Sequence, residues 1–312
     1  MSQNANSVHT APGASGATSA SNASSPFWRT IRALLRDRLA LTGLIITGLL
    51  VLAAVFAPLL AMQNPYDLAQ LDIMDGRLAP GSQSMSGMTY LLGTDDQGRD
   101  LFSAILYGLR TSILVGLLSA AIALVIGASI GLISAYAGGR VDAVLMRIVD
   151  IQLSFPTILI ALIFLAVLGQ GIDKIIIALV VTQWAYYART VRGSALIESK
   201  RAYIDAARAM ALPDRRIIFR HILPNCLPPL IVVATMRVAY AIMLEATLSF
   251  LGIGLPVTEP SLGLLISNGF EYMMSGDYWI SVFPGITLLL LIVGINLIGD
   301  ALRDILNPRR EG

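Results

Sequence analysis

The stretch YIDAARAMALPDRRIIFRHILPN, Tyr203 to Asn225, is the most basic run of a chain that is otherwise largely apolar, and apolar segments flank it on both sides. Asp205 is a good N-cap residue and strong helix formers follow it to Met210. Leu212, placed before Pro213, is steered away from the α region. A short helix with a defined stop is therefore expected over Asp205 to Met210. Ala206, Ala207 and Ala209 carry almost no side chain, so its backbone can approach another surface closely, while Arg208 can reach acidic groups there. A short amphipathic knob between two apolar segments is best explained by a docking partner.

Composition fixes the class. Of 312 residues, 55% are hydrophobic and 13% charged, and the mean hydropathy is +0.72. These values describe an integral membrane protein, and the long apolar segments below make an all-α fold the expectation. The single cysteine, Cys226, excludes an intrachain disulfide and offers no clustered thiolate site. Residues 1–26 carry no Lys, Arg, Asp or Glu and are rich in Ser, Ala, Asn, Gly and Thr. They read as a disordered cytoplasmic tail without the order of a secretory signal. In FWRTIRALLRDRL, apolar Phe27, Trp28, Ile31, Leu34 and Leu35 oppose Arg29, Arg32 and Arg36. That pattern suits a helix lying at the membrane surface, the alternative being an unstructured basic lead-in.

A span needs about 20 mostly apolar residues. Six transmembrane helices are expected, at Leu39 to Met62, Ser112 to Tyr136, Ile151 to Gly169, Ile175 to Arg189, Leu230 to Ile253 and Ile280 to Leu302. The fourth is the weakest, and its Trp184, Tyr186 and Tyr187 read as interface anchors near a helix end. Seventeen of the 22 cations fall on the side shared by both ends and the opening stretch. Arg77, Arg99, Arg110 and Lys174 fall on the other, and Arg237 lies inside a span. By the positive-inside rule both termini are cytoplasmic.

Gly127 and Gly131 form a small-xxx-small pair suited to close helix packing. Pro156 and Pro284 mark helix starts or kinks, or else hinges. LLGTDDQGRDLF, Leu91 to Phe102, lacks calcium-loop spacing and reads as a turn into a helix capped by Asp100. No phosphate-cradling GxxxxGK[ST] is present, and His221 has no ligand partner at metal spacing. Within the fifth span, Arg237 and Glu245 are costly in hydrocarbon and lie about 80° apart around a helix. Both can face one interior sector, either as structural contacts or on a translocation path.

DAARAMA followed by HILPN resembles the EAA loop of ABC importer permeases, written EAARALG, a spacer and RHILPN in the peptide and nickel subgroup. LLGTDDQGRDLFSAILYG, EATLSFLGIG and NLIGDALRDILNPR resemble further signatures of that subgroup, in the same order. The resemblance covers most of the chain after the tail. Asp205 stands for the usual Glu, Ala211 for Gly, Ala104 for a frequent Arg and Leu262 for a frequent Trp. Pro213 is expected to supply the break that Gly normally supplies.

The resemblance implies a type I importer permease fold and a C-type subunit of the dipeptide, oligopeptide or nickel subgroup. It divides the chain into the tail at 1–26, an interfacial helix, first span and extracytoplasmic loop at 27–110, a core at 111–302 with its EAA loop at about 194–225, and a cytoplasmic end at 303–312. Asp205, Ala206, Ala207, Arg208, Ala209, Met210 and Ala211 would dock an ATPase. The implied partners are a second homologous permease, two ATPase subunits, an extracytoplasmic substrate-binding protein and the lipid bilayer, with no nucleic acid. No cofactor is expected in this chain, ATP and Mg lying on partner subunits, and the chain itself would not be an enzyme. The implied location is the bacterial inner membrane. The cargo is left open among peptides, nickel, glutathione and other small solutes. A rival reading is a self-contained secondary transporter, which would call for inverted repeats and midplane polar sites.

Overall fold

The computed structural model describes residues 26–67, 71–84 and 87–306. The expected disordered segment lies, apart from Pro26, outside the described residues. Those residues are helical with no strand among them, only two isolated bridges in the loop before the second long helix.

Helix α1 (Pro26–Arg36) meets α2 (Arg38–Val55) at Asp37, whose carboxylate accepts from the Leu39 and Ala40 amides. The short α3 (Ala57–Leu60) follows. A loop then leads to α4 (Leu101–Ala137), which is capped by Asp100 through the Ser103 amide at 2.9 Å, as its sequence context predicts. Next come α5 (Gly139–Ser154), α6 (Thr157–Leu168) and α7 (Ile172–Glu198). The basic stretch forms α8 (Ala202–Ala209), α9 (Asp214–Ile217) and a π turn at Ile218–Ile222 that feeds α10 (Leu223–Phe250). The chain closes with α11 (Leu262–Phe270) and α12 (Trp279–Ile305).

Among the described residues, four segments are long and apolar enough to cross a bilayer: Arg38–Val55, Leu101–Ala137, Asp214–Phe250 and Trp279–Ile305. The pair α5 and α6 makes a fifth if counted as one span, bent by 90°. The expected count of six is thus not reached on length and hydropathy alone. The third expected span is broken because Pro156 removes a donor and forces Phe155 to φ −92°, ψ 143°. Pro156 therefore starts a helix. Helix α7 is much longer than the fourth expected span, but its polar and charged residues keep it out of the apolar set.

The expected role of the glycine pair is realised. A Cβ at Gly127 would sit 2.6 Å from Tyr187 Cβ, and one at Gly131 would sit 2.5 Å from the Ala188 carbonyl oxygen. Helices α4 and α7 thus pack backbone to backbone there. One apolar cluster joins α4, α10, α11 and α12, and two of the four departures, Ala104 and Leu262, are fully buried in it. A second joins α4, α7, α8 and the start of α10, and fixes where the basic stretch sits.

Candidate functional site

Helix α8 begins three residues earlier than its sequence suggests. Arg201 is the N-cap, with no side-chain cap bond, so the expected capping role of Asp205 is not realised. Asp205 lies in the first turn, its side chain 68% exposed, 3.6 Å from Arg208 Nη1. A carboxylate there still complements the helix dipole. At the other end Ala211 adopts φ +49°. The Ala211 amide donates to Arg208 O at 2.9 Å and the Leu212 amide to Ala207 O at 3.2 Å. This is the left-handed stop that Gly normally makes, made here by Ala at a cost of roughly 1 to 2 kcal/mol. Pro213 does not supply the break, since it is the N-cap of α9 at φ −65°.

The faces of α8 are sharply divided. Ile204 and Ala207 are buried in a cluster with Leu132, Val191, Ile217 and Ile222. Asp205, Ala206, Arg208, Ala209, Met210 and Ala211 are exposed. The expectation that Ala207 presents a close approach to a partner is corrected, because this chain's own residues cover it. Its small size lets α8 sit down on the bundle. Three polar ties fasten the segment: Tyr203 Oη to Glu198, Asn225 Nδ2 to Tyr203 Oη at 3.1 Å, and Tyr136 Oη to Asp214. The π turn lies before Pro224, which has no amide proton and cannot continue an i to i−4 ladder. The Leu223 amide bonds instead to Ile218 O.

The two intramembrane charges do not meet. Glu245 is fully buried and accepts from Ser112 Oγ on α4 and Ser249 Oγ, each at 2.8 Å. Its surroundings are those of a structural clasp between α4 and α10. Half-buried Arg237 lies near the middle of α10, its guanidinium 3.4 Å from the Tyr186 ring centroid and 5.2 Å from that of Tyr240. Tyr187, read as an interface anchor, is instead fully buried.

Gln183, also fully buried on α7, was missed altogether. Among the described residues, neither its amide nor the Tyr187 hydroxyl has a hydrogen-bond partner. The available signal was the i, i+4 spacing of the two residues within a span. Tyr187 lines an apolar cavity of about 430 Å³ with Val51, Leu117, Ile231, Val238 and Ile298.

At the other end of α4 from α8, Asp95 accepts from the Gln97 and Arg99 amides at 2.9 Å each, and Arg99 Nε lies 3.4 Å from it. Arg99 Nη2 reaches Val257 O at 3.1 Å, tying this loop to the segment after α10. Burial pushes the Asp95 carboxyl up to about 6 against the pull of Arg99.

A bundle of long apolar helices bearing a short exposed helix on a basic loop defines a membrane permease subunit. The chain belongs to the binding-protein-dependent transport system inner membrane component family, whose profile matches residues 124–312. Residues 25–80 match the N-terminal TM domain of oligopeptide transport permease C. A Brucella abortus protein, provisionally named a peptide transport system permease, is 43% identical over 91% of this chain and 93% of its own length. The di/tripeptide transport system permease DppC of Pseudomonas aeruginosa is 36% identical over 97% and 98%. The dipeptide permease DppC of Escherichia coli is 38% identical over 91% and 92%. Among solved structures, the inward-facing MetNI methionine ABC transporter shares the fold, with a TM-score of 0.53 and 23% identity over 65% of this chain and 96% of the matched one. The chain is thus a multi-pass inner membrane transport subunit.

Proposed function

We propose that this chain forms half of the membrane passage of an ATP-driven importer of short peptides, and that the exposed face of α8 receives an ATPase subunit. The observation that carries the reading is the division of α8, with Ile204 and Ala207 locked into the bundle and Asp205, Ala206, Arg208, Ala209 and Met210 left outward. A lever needs both a rigid root and a free face. The names of the relatives favour peptides as cargo. A sister permease, two ATPase subunits and an extracytoplasmic binding protein complete the machine, with both termini of this chain in the cytoplasm and ATP and Mg on the ATPases. In the cycle, closure of the ATPase pair pushes α8, the push reaches α4, α7 and α10 through the shared cluster, and the passage opens outward to accept peptide.

The test is ATP-dependent uptake of labelled di- and tripeptides by proteoliposomes holding the co-expressed transporter, with its binding protein added. Uptake that requires both ATP and binding protein is expected. Uptake independent of both would overturn the reading in favour of a self-contained transporter.

A further inference from the structure

Among the described residues, Arg237 is a cation within a span whose charge the fold does not pair. It lies near the middle of a 28-residue helix, where a charge facing lipid is costly, so its open side must meet water or protein. Among the described residues it makes no ion pair. Glu245, eight residues on, is engaged by two serines. What holds the guanidinium is the pair of rings, Tyr186 and Tyr240. Rings stabilise and orient a cation without neutralising it. The side chain is therefore fixed in direction, half-buried and still carrying its full charge. One turn earlier in α10, Val233 lines an open groove of about 570 Å³ that runs past Pro229 and Asn225 to Arg303 on α12.

We propose that Arg237 is a carboxylate-binding residue on the translocation route, where it takes the terminal carboxylate of the passing solute. A guanidinium lying over ring faces can still present N–H donors away from them, the groups that pair with a carboxylate. The same positive charge disfavours cationic solutes. The inference rests on the reading of this chain as a peptide permease and adds the group that recognises the cargo. The rival source of a carboxylate is a side chain of the second permease.

The experiment uses the assembled transporter with Cys226→Ala and Val233→Cys. It compares modification of the thiol introduced on α10 by 2-carboxyethyl methanethiosulfonate and by the trimethylammonium analogue. The anionic reagent is expected to react on the order of tenfold faster. Arg237→Lys should keep the bias and Arg237→Gln should remove it. A dipeptide should slow the reaction more than its C-terminal amide does.

Failure of both reagents to reach the introduced thiol, or a bias indifferent to Arg237→Gln, would overturn the proposal. So would loss of assembly in Arg237→Gln alongside an assembled Arg237→Lys transporter in which that thiol stays unreactive, since the carboxylate would then belong to the second permease. A charge bias without protection by any dipeptide would uphold the carboxylate site and overturn the peptide reading instead.

Discussion

Ala211 shows how one residue can keep a family's geometry after losing the side chain that makes it easy. Its left-handed φ and the two backbone bonds around it survive without glycine. Ala211→Gly should relieve roughly 1 kcal/mol at the end of α8. Amide exchange at Ala211 and Leu212 should slow severalfold, and unchanged or faster exchange would contradict the strain. Asp205→Ala removes an exposed i, i+3 pair and a first-turn carboxylate that complements the helix dipole, together about 1 kcal/mol or less, and should leave the helix intact by the same measurement. Ala207→Leu is of another kind. It forces three extra carbons into a filled cluster at about 1 to 3 kcal/mol, and should lower the yield of folded chain even when no ATPase is co-expressed.

Elements were legible where a local rule had no competitor. The Asp100 cap, the Gly127 and Gly131 seam and the break before Pro156 follow from side-chain chemistry within a few residues. Asp205 misled because Asp is a good cap only where the chain is not already helical, and the helix had begun at Ala202. Ala207 and Tyr187 misled because small or amphipathic residues suit a partner surface and an interior equally well. Only the tertiary arrangement of α4, α7 and α8 decides between them. Gln183 is a similar case, since a polar residue in a weak span reads as a helix end.

The loop built around Asp95 and Arg99 adds a pH effect. The folded Asp95 carboxyl titrates near 6, above its unfolded value of 3.8, so the fold binds its proton more tightly. Stability from this group is fully present below the unfolded value, falls as pH rises toward about 6, and is level beyond. Protection of the loop from proteolysis should therefore be greater at pH 4.5 than at pH 7.5, and Asp95→Asn should flatten that difference. An unchanged slope in the variant would assign the effect to another group.

Across the whole molecule, the uneven distribution of cations predicts the orientation on which the docking reading depends. In a Cys226→Ala background, Ser82→Cys should react with an impermeant thiol reagent outside intact cells and Ser199→Cys should not. The reverse pattern would place α8 outside the cell. Hydropathy could not resolve the full helix count, because α7 is long but polar and the segment before α7 is bent at Pro156. Helical spacing alone also hid the separation of Arg237 from Glu245. Periodicity gives angles around a helix, and what each side chain touches depends on the helices that pack there.

The docking of an ATPase on the outward face of α8 is the contact on which the proposed function turns. It is tested most directly by cross-linking from single cysteines at Ala209 and Ala207, in a Cys226→Ala background, within membranes holding the assembled transporter. Efficient cross-linking to the ATPase subunit is expected from Ala209→Cys, changing with added ATP, and little from the buried Ala207→Cys. Absence of any ATPase adduct from Ala209→Cys and its exposed neighbours Asp205→Cys and Met210→Cys, in a transporter that still takes up its cargo, would contradict it.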